Sequence, residues 1–239
     1  MPQERQFNPY TDNGGTILAI SSKNFAVIAG DTRQSEGYSI QTRYAPKVTQ
    51  LTDYCCIAVN GFAADGNELV KQIKQRLQWY NHIHACQPSV QSIARLIQTM
   101  LYAKRFFPYY VYVILAGIDH DGTGAVYSFD PVGSYERESC RAAGAAQSLV
   151  QPFLDNQVGG KNMTRDPLGP PPQPEPTYEK GKSYTPPRAD LPMEKVQALV
   201  IDAFTGAAER HIEVGDGLEI FIIEVGKGVQ VVRRELKKD

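Results

Sequence analysis

The chain has 239 residues, 42% of them hydrophobic and 21% charged, with a formal net charge of −1. That balance gives no electrostatic support to a nucleic-acid or anionic-membrane partner. No apolar run approaches the roughly 18 residues needed to cross a bilayer, and the stretch after Met1 lacks the apolar region of a secretory signal, so none is expected.

Residues 16–22 and 25–30 are apolar runs separated by Lys23 and Asn24, which predicts an antiparallel hairpin. Two short strands are predicted at 47–51 and 54–60. In the second, Cys55 and Cys56 are neighbours, so their side chains should point to opposite faces of a sheet. Leu69, Val70, Ile73, Leu77 and Tyr80 then recur at helical spacing. A second helix is predicted after Pro88, with Ser89 or Ser92 as its cap and a stripe of Ile93, Leu96, Ile97, Met100 and Leu101. The chain returns to strand at 109–117 and 125–129, around a turn at 119–124. A short strand near 138–142 precedes a helix at 144–157 carrying Leu149, Phe153 and Leu154. Pro152 inside that helix calls for a late start or a kink.

Nine of the 16 prolines fall between Pro167 and Pro192, so an extended insertion is predicted at about 165–192. A helix after Asp190 (Val196, Leu199, Val200, Ala203, Phe204, Ala207) and strands at 218–225 and 229–234 complete the chain. Strand runs alternating with helix pairs predict one domain of the α+β class. Its layers would form a four-layer αββα sandwich, two antiparallel sheets with helices outside.

Taken singly, the candidate chemical groups have bland readings. Asp119 to Asp130 loosely imitates a calcium loop, but Asp130 stands where a bidentate Glu is expected, and the Asp121 and Gly122 pair reads as a hairpin turn. His82 and His84 are two apart on a helix and share no face, so no metal site is predicted there. No metal and no cofactor are expected anywhere. The four cysteines (Cys55, Cys56, Cys86, Cys140) lack ligand spacing and read as buried free thiols in a reducing compartment, cytoplasm or nucleus. Asp31 and Arg33 read as an ion pair at a strand end, and Lys47 as a surface lysine.

Together with what precedes them, these last residues read differently. Gly14, Gly15 and Thr16 opening a strand, then Asp31 and Arg33, then Lys47, resemble the start of 20S proteasome beta-type subunits, which are N-terminal nucleophile hydrolases. The likeness extends through FNPY (7–10), NGGTILAI (13–20), KRFFPYY (104–110), GAVYSFDPVGSY (124–135), LDNQV (154–158) and AERH (208–211). Within the family it is strongest to the non-catalytic beta subunit at the sixth ring position.

The resemblance implies the rest. In active members a glycine precedes a threonine, and cleavage between them frees the amine that assists the threonine hydroxyl. The family's Asp–x–Arg and its lysine place the nucleophile at Gly15, sixteen residues before Asp31 and thirty-two before Lys47. Glycine has no side chain with which to attack. A serine expected after the glycine of the third helix is Ala145; an aspartate and a serine expected before Gly215 are His211 and Val214. The site positions Gly15, Asp31, Arg33, Lys47, Ala145, His211 and Val214 therefore form a degenerate set with no catalytic residue.

By resemblance, residues 1–14 are a leader and 15–239 a single domain. The partners are other alpha- and beta-type subunits in a stacked four-ring hetero-oligomer that performs ATP- and ubiquitin-dependent protein degradation. The alternative is an active threonine peptidase using Thr16, which requires a one-residue shift against Asp31 and Lys47. The proline-rich stretch reads either as a solvated linker or as a docking segment for an assembly factor. The aromatic run from Arg105 to Tyr110 reads equally as core or as interface.

Overall fold

The computed structural model describes residues 7–162 and 190–239; the proline-rich stretch, with any docking role, lies outside them except for Asp190 to Pro192. One five-stranded antiparallel sheet has the order β10-β1-β2-β11-β12, built from β1 (Thr16–Ser21), β2 (Phe25–Asp31), β10 (Cys140–Gly144), β11 (Gly217–Glu224) and β12 (Gly228–Glu235). The other has the order β5-β6-β7-β8-β9, from β5 (Val48–Thr52), β6 (Cys55–Gly61), β7 (Val111–Ile118), β8 (Gly124–Phe129) and β9 (Tyr135–Glu138). A small hairpin, β3 (Gln34–Glu36) with β4 (Ser39–Thr42), stands apart. The helices are α1 (Ala63–His84), α2 (Val90–Tyr102), α3 (Gln147–Gln157) and α4 (Met193–Arg210).

Strand alternation explains how these pieces stack. In β1, Leu18 and Ile20 point to one side and join Val150, Leu154, Val200 and Phe204 of α3 and α4 in one core. Ile17 and Ala19 point the other way, where they meet Val48, Ala58, Ile114 and Ala116 of the second sheet. That sheet's outer face (Ile57, Val113, Leu115) packs on Leu69, Ile73, Ile93 and Ile97 of α1 and α2. Helices, sheet, sheet, helices: the fold is the four-layer αββα sandwich. Cys55 and Cys56 divide between the outer and the central core, as adjacent strand residues must.

Several details differ from the sequence reading. The strand near 138–142 is two strands: β9 pairs with β8 in one sheet, and after Ser139 the chain crosses to pair β10 with β1 in the other. Because Ala143 and Gly144 belong to β10, the helix after them starts late, at Gln147, and runs on through Pro152. Leu149, expected on its buried stripe, is exposed; Val150 and Leu154 are buried instead. Ser89, not Ser92, caps α2, its hydroxyl accepting the Ser92 N–H at 3.2 Å. All four cysteines are free thiols, but Cys86 is exposed, since it lies just past α1 in the connection to α2. Burial pushes the Cys56 thiol up to about 12 and that of Cys140 up to about 11. The run that imitated a calcium loop is the β7–β8 turn. Asp119 is engaged there by Arg137 (2.8 Å) and by His120 (2.8 Å).

Candidate functional site

Four candidate residues lie at strand ends: Gly15 precedes β1, Asp31 closes β2, Lys47 precedes β5 and Ala145 follows β10. The chain enters β1 through two consecutive left-handed glycines, Gly14 (φ +66°) and Gly15 (φ +78°), a conformation that favours residues without a Cβ. The Gly15 carbonyl accepts hydrogen bonds from the Ala145 N–H (2.9 Å) and from Asn60 Nδ2 (3.2 Å). Asn13, upstream, is pinned from both sides. Its N–H donates to the Gly61 carbonyl (3.0 Å) and its carbonyl accepts the Ser35 N–H (3.0 Å), while its side-chain oxygen accepts the Ala63 N–H (2.8 Å).

Asp31, at the end of β2, is fully buried. Its carboxylate accepts the Thr16 N–H at 2.8 Å and the Gly215 N–H at 3.4 Å, and lies 3.2 Å from Lys47 Nζ. Burial pushes the Asp31 carboxyl above the usual range, opposed by the Lys47 charge and these amides. Lys47 Nζ also donates to the carbonyls of Asp31 (2.9 Å) and Arg33 (2.8 Å). An ammonium has three N–H bonds, and these three acceptors surround it. Lys47 is therefore not the surface residue its isolated sequence context suggests; its side chain is 10% exposed. A Cβ built on Gly15 would overlap Lys47 Cε and lie 2.7 Å from Nζ and 3.0 Å from Asp31 Oδ1. Gly15, Asp31 and Lys47 are thus in mutual contact, beside a cavity of about 300 Å³ lined by Asn13, Gly14, Lys47 and Asn60.

The other candidates are placed differently. Arg33 does not pair with Asp31. Its side chain leaves the cluster and its Nε bonds Asp216 at 2.7 Å, because the loop after α4 brings that carboxylate to it. His211 caps the end of α4 and its Nδ1 accepts the Glu213 N–H at 3.3 Å. Val214 is buried in the core under α3 and α4. Ala145 touches the site through its backbone N–H. Thr16 is fully buried; its hydroxyl accepts the Ala146 N–H at 2.9 Å while its own N–H goes to Asp31. Asn60 and Asp216 escaped the sequence reading, since each acts through a partner far away in the chain and carries no local signal; Asn13 entered it only within the run 13–20, with no role assigned.

A fold of two antiparallel sheets between helix pairs, with a glycine–aspartate–lysine contact where the first two strands begin and end, defines the class. The family model described as "Proteasome subunit" matches residues 11–168, and the chain belongs to that family. Within it the chain is similar to beta-type subunits. It is 54% identical to proteasome subunit beta type-6 of Saccharomyces cerevisiae, over 100% of this chain and 94% of the yeast one. It is 48% identical to the probable beta type-6 subunit of Schizosaccharomyces pombe, with 99% of each covered. The beta type-1 subunit of Danio rerio is 43% identical, over 100% of this chain and 92% of its own.

Proposed function

We propose that this chain is a non-catalytic beta subunit of the 20S core particle, one that completes a beta ring and its proteolytic chamber without cutting peptide bonds itself. One observation carries the reading: Gly15 occupies the point where Asp31 and Lys47 converge, and it offers no side chain. Lys47 spends its three N–H bonds inside the protein. Ala145 and Val214 supply no hydroxyl, and Thr16 has its hydroxyl buried against Ala146. The ring partners are alpha- and beta-type subunits, assembly factors among the transient ones, and the compartment is the cytoplasm and nucleus. The relatives named above support the assembly, and the free thiols support the compartment.

Two measurements test it. The chain, carrying a C-terminal tag and purified gently from its own cell, should emerge in a particle of several hundred kilodaltons with other proteasome chains. A threonine-directed covalent probe added to that particle should label its neighbours and leave this chain unmodified. Recovery only as a monomer would refute the assembly; probe attached at Thr16 would refute the inactivity. When produced alone, the chain should also keep the bond between Gly14 and Gly15 intact by mass spectrometry, because no hydroxyl stands at position 15 to cut it.

A further inference from the structure

The aromatic run after α2 divides into a buried part and an exposed one. Tyr109 faces the core, 7% exposed, with its hydroxyl 3.3 Å from Gln72 Oε1. Phe106 is 97% exposed and Phe107 62%. A loose loop would explain such exposure trivially, but this tip is tightly made. The Ala103, Lys104, Arg105 and Phe107 N–H groups donate in turn to the carbonyls of Thr99, Leu101, Tyr102 and Lys104 at 3.0–3.1 Å. From the other side Tyr10 braces it: its ring lies 6.0 Å from that of Phe107 and 5.7 Å from that of Tyr110, and its hydroxyl donates to the Pro108 carbonyl at 2.7 Å. The turn therefore holds Phe106 out into solvent at a fixed position. Tyr102, 59% exposed, extends the apolar surface.

Charge narrows what could cover it. The Arg105 guanidinium lies 5.8 Å over the Phe106 ring and Lys104 Nζ lies 5.2 Å over that of Tyr109. Among the described residues neither cation has a carboxylate within 4.0 Å. Two cations without an ion pair among the described residues, beside two exposed phenylalanines, suit a surface that is apolar at its centre and acidic at its rim. Aromatic and arginine side chains held rigidly in advance are the groups that dominate protein interfaces.

From this geometry we propose that the 102–107 tip is a docking knob. Phe106 enters an apolar recess on a second polypeptide of the assembly, and Arg105 and Lys104 pair with carboxylates at that recess's rim. The inference rests on the assembly reading given above, and names the surface and the chemistry of the partner.

The test replaces Phe106 with a photo-crosslinking phenylalanine analogue in the full-length chain, expressed in its own cell, and sizes the particle before irradiation. Since Phe106 is almost fully exposed, the replacement leaves the fold alone. The expected product is a covalent adduct to one other chain of the particle, mapped to a segment containing apolar residues with Asp or Glu. Arg105→Glu in the same background should lower its yield at least tenfold. An intact particle giving no adduct, an adduct on lipid or within this chain, or a yield unmoved by Arg105→Glu overturns the knob while the assembly reading stands. A chain found in no particle before irradiation fails the assembly reading instead, and the knob fails with it.

Discussion

Arg33→Met should destabilise the protein by about 3–5 kcal/mol, the range for removing one partner of a buried ion pair. The guanidinium is 2% exposed and ties three parts of the chain together. It bonds Asp216 at 2.7 Å, the Ile212 carbonyl at 2.7 Å, and the carbonyls of Lys237 and Asp239 at 3.4 and 3.3 Å. Without it, Asp216 keeps only Arg43 as a charged partner among the described residues, although the Asp216 side chain is itself 2% exposed. Arg43→Met should cost about 1 kcal/mol or less, because that arginine is half in solvent. Arg33→Lys should not rescue, since a point charge cannot reproduce the fork.

The pH dependence has a definite sign. Burial alone would raise the Asp216 carboxyl, but hydrogen bonds from Arg33 and Arg43 outweigh it and hold the group below the usual range. A carboxyl lowered in the folded state contributes stability above its unfolded pKa and loses it as pH falls through the folded one. The deficit of Arg33→Met should therefore be largest near neutrality and shrink at about pH 3. Denaturant unfolding of both proteins at the two pH values reads it; an equal deficit at both would mean that the charge of Asp216 is not what Arg33 stabilises.

This network shows where sequence reading stops. Most strands of the two sheets were legible because apolar, β-branched runs with turn residues between them have few other structures open to them. The β3–β4 hairpin was not: its strands are short and polar, and its pairing is broken between Gln34 and Ser35. Nor could the split of 135–144 between two sheets be read, since Ser139, where the chain crosses, looks like any strand serine. At the site, the spacing from Gly15 to Asp31 and Lys47 was legible only through the resemblance to proteasome beta-type subunits; taken alone, Asp31 read as half of an ion pair and Lys47 as a surface lysine. The pairing of Arg33 with Asp216, 183 positions away, depends on how the chain returns after α4, and no local pattern encodes that.

The spacing also tempts one to repair the site, and Gly15→Thr should fail to do so. It should destabilise the protein by about 2–6 kcal/mol and confer no peptidase activity. A β-branched residue at φ +78° is strained by about 1–3 kcal/mol. Its Cβ would meet Lys47, so the lysine must move and give up its bonds to the Asp31 and Arg33 carbonyls; overpacking of this kind costs about 1–3 kcal/mol more. Chemistry adds a second barrier. The new hydroxyl becomes useful only once the bond after Gly14 is cut, and Asn13 is held by Gly61, Ser35 and Ala63 in the uncut arrangement. Adding Lys47→Ala to Gly15→Thr should recover part of the stability, since the crowding is then gone, and still give no activity, since the amine partner of Asp31 has gone with it. Thermal unfolding and labelling by a threonine-directed probe read both halves. A Gly15→Thr protein as stable as its parent and labelled at the new threonine would mean that Lys47 yields easily, and that the glycine alone separates this subunit from a working peptidase.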